Sequence, residues 1–136
     1  MREQEAAEAG RILKLDLRSN LGQPDGHVWP TEAARTAVVR VLRSHAPKVL
    51  LTTHWDDPHP DHANTCRIVR EAARLATMAH YDDGGEQKPI PMPALMHSLF
   101  SRHVVPSFIV DVSEFVEEKM AAIRAHESQF YLPESK

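Results

Sequence analysis

Only one cysteine occurs among the 136 residues, so no disulfide can close within the chain and oxidative stapling contributes nothing to stability. An excess of one charge is missing too. The 16 Lys and Arg stand against 19 Asp and Glu, a formal net charge of -3 without the basic surplus that favours DNA or RNA, so no nucleic-acid partner is expected. No apolar run approaches the roughly 20 residues that span a bilayer, and the charged start MREQE is unlike a signal peptide. These absences predict a soluble, cytoplasmic chain with no membrane partner. Internal repeats, low-complexity tracts and linkers are also lacking, and the length suits one domain over residues 1–136. With 42% apolar and 26% charged residues the chain has ordinary globular composition. Histidine and proline are plentiful, at nine and ten residues. Imidazole both ligates metals and titrates near neutrality, which directs the search for a site to the histidines.

Periodicity alternates helices with short apolar runs. Residues 2–14 place Ala6, Ala9 and Leu13 at helical spacing, and a loop rich in Gly and Pro (SNLGQPDGHVWP) follows. Thr31 can cap a helix reaching His45, with Ala34, Val38, Val41 and Leu42 on one face and Arg35, Arg40 and Arg43 toward solvent. KVLLTT (48–53) reads as a buried parallel strand, and a helix begins near His59 with Pro60 in its first turn and runs to about Ala79. ALMHSLF and SFIVDV read as two further strands, and a weaker one lies near Leu17. Ser113 opens a last helix with Phe115, Val116, Met120 and Ile123 inward, before the tail SQFYLPESK. This order predicts an α/β, Rossmann-like layered fold with a mostly parallel sheet. The strands are too few for a complete doubly wound sheet, which usually has five or more.

The chemistry concentrates in His54-Trp55-Asp56-Asp57-Pro58-His59-Pro60-Asp61-His62, three His and three Asp at the carboxyl end of the KVLLTT strand, the edge where open α/β sheets bind ligands. His59 and His62 are three apart at a helix start, so both imidazoles can reach one side, one to ligate a metal and the other to face substrate. Asp61 can hold a neighbouring imidazole in one tautomer. A solvated polar turn is the alternative reading of the same residues. Asp25 either caps a Pro-Asp-Gly turn or serves the site. His97 and His103 read as solvent-facing or satisfied in the core, Cys66 as packing, and Lys119 and Gln129 as solvated.

Several motifs in order carry a resemblance: R-x-x-E at Arg2 to Glu5, LGxPDG at Leu21 to Gly26, HPDH at His59 to His62, SFIVDV at 107–112, and the ending from Lys119 through Ser128-Gln129-Phe130. The chain resembles the LmbE-like, or PIG-L, family of N-acetylglucosaminyl de-N-acetylases, and within it the branch that deacetylates N-acetylglucosaminyl-malate in bacillithiol synthesis. The resemblance implies zinc-dependent hydrolysis of the N-acetyl group of a small-molecule N-acetylglucosamine conjugate. His62 then matches a zinc ligand and His59 the histidine that stabilises the oxyanion or protonates the leaving amine. Asp61 matches the carboxylate paired with that histidine, Asp25 an acidic residue near the sugar, and Arg2 a substrate contact. The family's A-H-P-D-D-E type motif, which supplies two ligands and the general base, has no counterpart here. The resemblance therefore implies a partial domain, truncated at both ends and lacking the family's first strand and helix, inactive alone and prone to form homo-oligomers. A non-catalytic remnant that binds sugar or a partner is the competing reading.

Overall fold

A computed structural model describes residues 1–99 and 104–130, and these form two compact units, 1–20 with the residues from 107 onward, and 21–106. The second unit carries the site. Its first helix, α2 (Glu32–His45), follows α1 (Arg2–Ile12) of the first unit and starts where Thr31 accepts the Ala34 N–H at 3.1 Å, as the sequence predicts. Ala46 closes α2 in the left-handed region at φ 43°, with its N–H on the Leu42 carbonyl. The chain then enters β1 (Val49–Thr52), crosses through α3 (Pro60–Ala76) and returns in β2 (Ala94–His97). The two strands pair in parallel, Val49 opposite Ala94 through Thr52 opposite His97. This β-α-β crossover is the α/β layer that the alternation of elements predicts.

Packing of α2 on α3 makes the core. Val39 and Leu42 meet Ala72, Ala73 and Ala76, with Ile90 closing one end. The alanines, all fully buried, let the two helices approach closely, and the complete burial of Val39 contributes about 1.5–3 kcal/mol. Arg43, expected in solvent, is instead buried on this face. It pairs with the buried Asp83 at 3.2 Å and donates to the carbonyls of Ala76, Met78 and Tyr81, which the irregular chain after α3 leaves without helical partners. The reason is tertiary: position 43 faces the buried Asp83 carboxylate and three carbonyls of an irregular segment, and one guanidinium supplies several donors to them.

Other expectations change. β1 is buried on one face only, Leu50 and Thr52 pointing inward while Val49 and Leu51 are 52% and 66% exposed. Neither SFIVDV nor the stretch near Leu17 is a strand; Phe108, Ile109, Val110 and Leu17 are exposed, because strand propensity needs a partner ladder and none is present among the described residues. Phe100, His103 and the tail beyond Phe130 lie outside the described residues.

In the first unit α1 packs on α4 (Val116–Arg124), preceded by a 3₁₀ turn at Ser113–Phe115 and followed by α5 (Glu127–Phe130). The small residues Ala6, Ala9, Gly10 and Ala122 are the buried ones. Phe115, Val116 and Met120, expected inward, are 60%, 44% and 37% exposed, and Leu13 is exposed as well. Glu5 accepts the Ser128 N–H and hydroxyl at 2.8 and 2.7 Å, and these bonds hold its carboxyl below the usual range.

The buried ion pair gives a stability test. Arg43→Met leaves the buried Asp83 carboxylate without its cation and should cost about 3–5 kcal/mol. Chemical denaturation followed by circular dichroism would show the lowered midpoint.

Candidate active site

The site is built at the carboxyl end of β1, where the parallel register ends at Thr52 and the chain turns through residues 53–59 into α3. Two side chains fasten this turn. Thr53 donates its hydroxyl to the His62 carbonyl at 2.7 Å, and Asp57 accepts the His59 N–H at 2.9 Å as an Asx turn ahead of Pro60. The His59 N–H, followed by the His62 imidazole, holds the Asp57 carboxyl below its ordinary range. His59 is then the N-cap of α3, and its Nδ1 accepts the Asp61 N–H at 3.2 Å.

The two imidazoles stack with centroids 4.7 Å apart and 26° between planes, so the three-residue spacing does bring both to one side. Their Nδ1 atoms have opposite roles. His59 Nδ1 accepts a backbone N–H, which places the proton of the neutral ring on Nε2. His62 Nδ1 lies 3.1 Å from Asp57 Oδ1, where it donates to the carboxylate, and Nε2 is then the nitrogen with the lone pair.

Asp61 is only 8% exposed and does not supply the imidazole contact expected of it. Its Oδ2 accepts the Gly26 N–H at 2.6 Å and its Oδ1 the Val28 N–H at 3.1 Å. It thus ties the LGQPDG loop to the first turn of α3, where a negative charge is also favoured by the helix dipole. Asn64 adds a second tie, donating to the Val28 carbonyl at 2.7 Å. The loop closes on itself through the His27 N–H and the Pro24 carbonyl, with Gly26 at φ 74° in the third position of the turn, where only glycine is unstrained. Asp25 sits beside it, exposed, at the tip of the turn. The imidazole–carboxylate pair therefore joins His62 to Asp57, which sequence reasoning missed. The signal was present as Asp-Pro-His, an Asx turn leading into a helix.

Around this turn the remaining groups are structural. His54, 4% exposed, accepts the Asp56 N–H on Nδ1 and stacks on Trp55 at 3.9 Å, while the Arg70 guanidinium lies 5.8 Å over the Trp55 ring. His97 lies 2.9 Å from the Thr53 carbonyl through Nδ1, which makes it a half-buried histidine with its ring nitrogen satisfied by the backbone. Cys66 is fully buried, and that burial raises its thiol pKa against a smaller lowering by Arg70.

Among the described residues no three His, Cys, Asp or Glu side chains gather into a group that could hold a metal. His62, with Nδ1 on a carboxylate, has the arrangement of one imidazole ligand and its outer-shell partner. The described residues fit one position of a zinc site and leave its other ligands unsupplied.

A profile of the GlcNAc-PI de-N-acetylase (PIG-L) family matches residues 1–73, which include the LGQPDG loop and the whole HPDH turn. The chain belongs to that family. Diacetylchitobiose deacetylase of Thermococcus kodakarensis is 27% identical over 130 residues, covering 93% of this chain and 49% of the relative. This PIG-L chain therefore spans about half the length of the curated relative. The solved structure of a conserved protein of Thermus thermophilus, TT1542, superposes with a TM-score of 0.88 at 36% identity, over 97% of this chain and 59% of its own. N,N′-diacetylchitobiose deacetylase of Pyrococcus horikoshii shares the fold at a TM-score of 0.83 and 23% identity, over 95% of this chain and half of that one. Arg2, the remaining predicted site residue of this PIG-L chain, belongs to the first unit. There its guanidinium donates to the Gln129 amide oxygen at 3.1 and 3.2 Å once that amide is oriented to satisfy its neighbours, while Gln129 is exposed as expected. Arg2 also lines, with Arg18, Asn20 and His126, a hollow of about 270 Å³.

Two tests follow. Asp61→Asn replaces one accepting oxygen by an N–H₂ that faces a backbone donor, at a cost of about 1–3 kcal/mol. Amide hydrogen exchange at Gly26 and Val28 should accelerate while α2 keeps its protection. The depressed Asp57 carboxyl contributes stability that is complete above its ordinary value of 3.8 and disappears as the pH falls through the lower folded value. Asp57→Asn should therefore flatten the acid limb of the stability profile below pH 3.8.

Proposed function

We propose that this chain carries the leaving-group side of an N-deacetylase acting on an N-acetylglucosamine conjugate. The observation that supports this reading is the pair of stacked imidazoles with opposite Nδ1 partners. His59 presents an Nε2–H donor and His62 an Nε2 lone pair at the same sheet edge. Hydrolysis of an acetamide needs both. Water adds to the carbonyl carbon, negative charge develops on the oxygen, and the C–N bond breaks as nitrogen takes a proton, leaving acetate and an amine. His59 Nε2–H is the group to donate a hydrogen bond to that oxygen, while the proton that the nitrogen takes comes from the added water. Zinc, bound in part through His62 Nε2, would supply a polarised carbonyl and a more acidic water. Asp61 acts by holding the LGQPDG loop against α3, with Asp25 at the exposed tip of that loop as the group for sugar hydroxyls. The cytoplasm is the proposed location. N-acetylglucosaminyl-malate is the conjugate the sequence motifs favour, and N,N′-diacetylchitobiose is the one suggested by the relatives.

A second reading, a non-catalytic sugar- or partner-binding module, draws support from the missing three-ligand group among the described residues. The two separate experimentally. The 136-residue chain alone should bind zinc weakly and release no acetate. Joined to the N-terminal segment of a full-length relative, it should deacetylate one of the two conjugates. In that chimera His62→Ala should lose metal and activity together, whereas His59→Ala should keep the metal and lose roughly two to four powers of ten in rate. Metal analysis beside acetate release reads both. The reverse pattern would overturn the assignment of the two imidazoles, and an inactive chimera that still binds sugar would favour the binding module.

A further inference from the structure

The chain has two tryptophans, and neither is buried: Trp29 is 62% exposed and Trp55 56%. An aromatic ring of this size has much to gain from burial, so its exposure forgoes stabilisation. Both stand on the segments that α3 holds in place. Trp29 follows Val28, whose N–H and carbonyl are bonded to Asp61 and Asn64. Trp55 belongs to the histidine turn, four residues before His59, which bounds their Cα separation at roughly 14 Å.

Trp55 differs from an ordinary exposed side chain in being braced. His54 packs against its ring with 30° between planes, His97 meets it at 5.0 Å and 85°, and the Arg70 guanidinium lies 5.8 Å from the ring centroid. The braces are anchored in turn. His54 Nδ1 holds the Asp56 N–H, and His97 Nδ1 reaches the carbonyl of Thr53, the residue whose hydroxyl binds the His62 carbonyl. The indole is thus fixed to the same turn that presents His59 and His62. A ring already held still loses little freedom when a ligand covers it. Arg70 beside it forms no ion pair with a carboxylate among the described residues, and a guanidinium has several N–H donors for hydroxyl oxygens.

We propose that Trp55 is a specificity-determining platform: its exposed indole stacks on the apolar C–H face of the pyranose joined to the reacting N-acetylglucosamine, and Arg70 donates to hydroxyls of that second ring. The C–H groups of a pyranose face are weakly positive and meet the negative π surface of the indole, so the contact adds electrostatic attraction to apolar burial. Of the two conjugates named above this selects the disaccharide, because a malate group has no ring face to stack and would engage Arg70 alone. The inference rests on the deacetylase reading for which ring reacts, and its first test needs no reaction.

Trp29→Phe leaves Trp55 as the only indole of the 136-residue chain, so its emission reports the platform directly. Titration with N,N′-diacetylchitobiose should give a saturable blue shift, and N-acetylglucosaminyl-malate should give none. In the chimera with a relative's N-terminal segment, Trp55→Ala should raise KM for the disaccharide roughly tenfold with kcat held, leave KM for the malate conjugate unchanged, and be largely rescued by Trp55→Phe. If Trp55→Ala does not fold by circular dichroism, Trp55→Leu takes its place. A blue shift beside an inactive chimera would uphold the platform and remove the deacetylase reading. Emission indifferent to the disaccharide, an equal shift with the malate conjugate, or an active chimera in which loss of the indole leaves both KM values alone would overturn the platform.

Discussion

Asp61 is a nearly buried carboxylate whose two oxygens reach across 35 and 33 residues of sequence to the N–H groups of Gly26 and Val28. Charge-assisted bonds of this kind contribute about 1.5–3 kcal/mol, and removing their acceptor would leave backbone donors unsatisfied. The geometry of the site depends on them. Because the carboxylate belongs to the first turn of α3, the LGQPDG loop is fixed relative to the same turn that presents His59 and His62. Because its oxygens face the loop, the task of orienting an imidazole falls to Asp57, which lies just before the helix. One side chain thus divides the acidic residues of the HWDDPHPDH run into a loop anchor and a histidine partner.

Backbone position does the rest. His59 caps α3 through Nδ1, so the helix terminus chooses its tautomer, and the Asx turn at Asp57 chooses that of His62. The two rings have the same sequence spacing as any HxxH pair. They acquire different chemistry only because one Nδ1 meets a donor and the other an acceptor. A comparable division occurs in the first unit, where Glu5 and Arg2 of the opening helix are joined to Ser128 and Gln129, 123 residues away in the case of Glu5. Two motifs at opposite ends of the chain are therefore one structural feature.

Much of this was legible in the residues themselves. Thr31 capping α2, Pro60 in the first turn of α3, the apolar VLLT strand ahead of the histidines and the placing of the site at its carboxyl end all follow from local rules, because caps, proline geometry and short-range periodicity involve neighbours in sequence. What pairs with what was not legible. Arg43 has the sequence of a solvent-facing residue, yet it is buried by carbonyls that leave α3 more than thirty positions later. SFIVDV has strand propensity but no ladder to join among the described residues, and Phe115, Val116 and Met120 have helical spacing yet stay exposed there. The sequence by itself determined α2, β1, the start of α3, the sheet edge and the histidine turn, since each is set by interactions within a few residues. Only the tertiary structure decided which carboxylate serves which imidazole and which apolar face is covered, since hydrogen bonds and burial are satisfied by whatever the fold brings close.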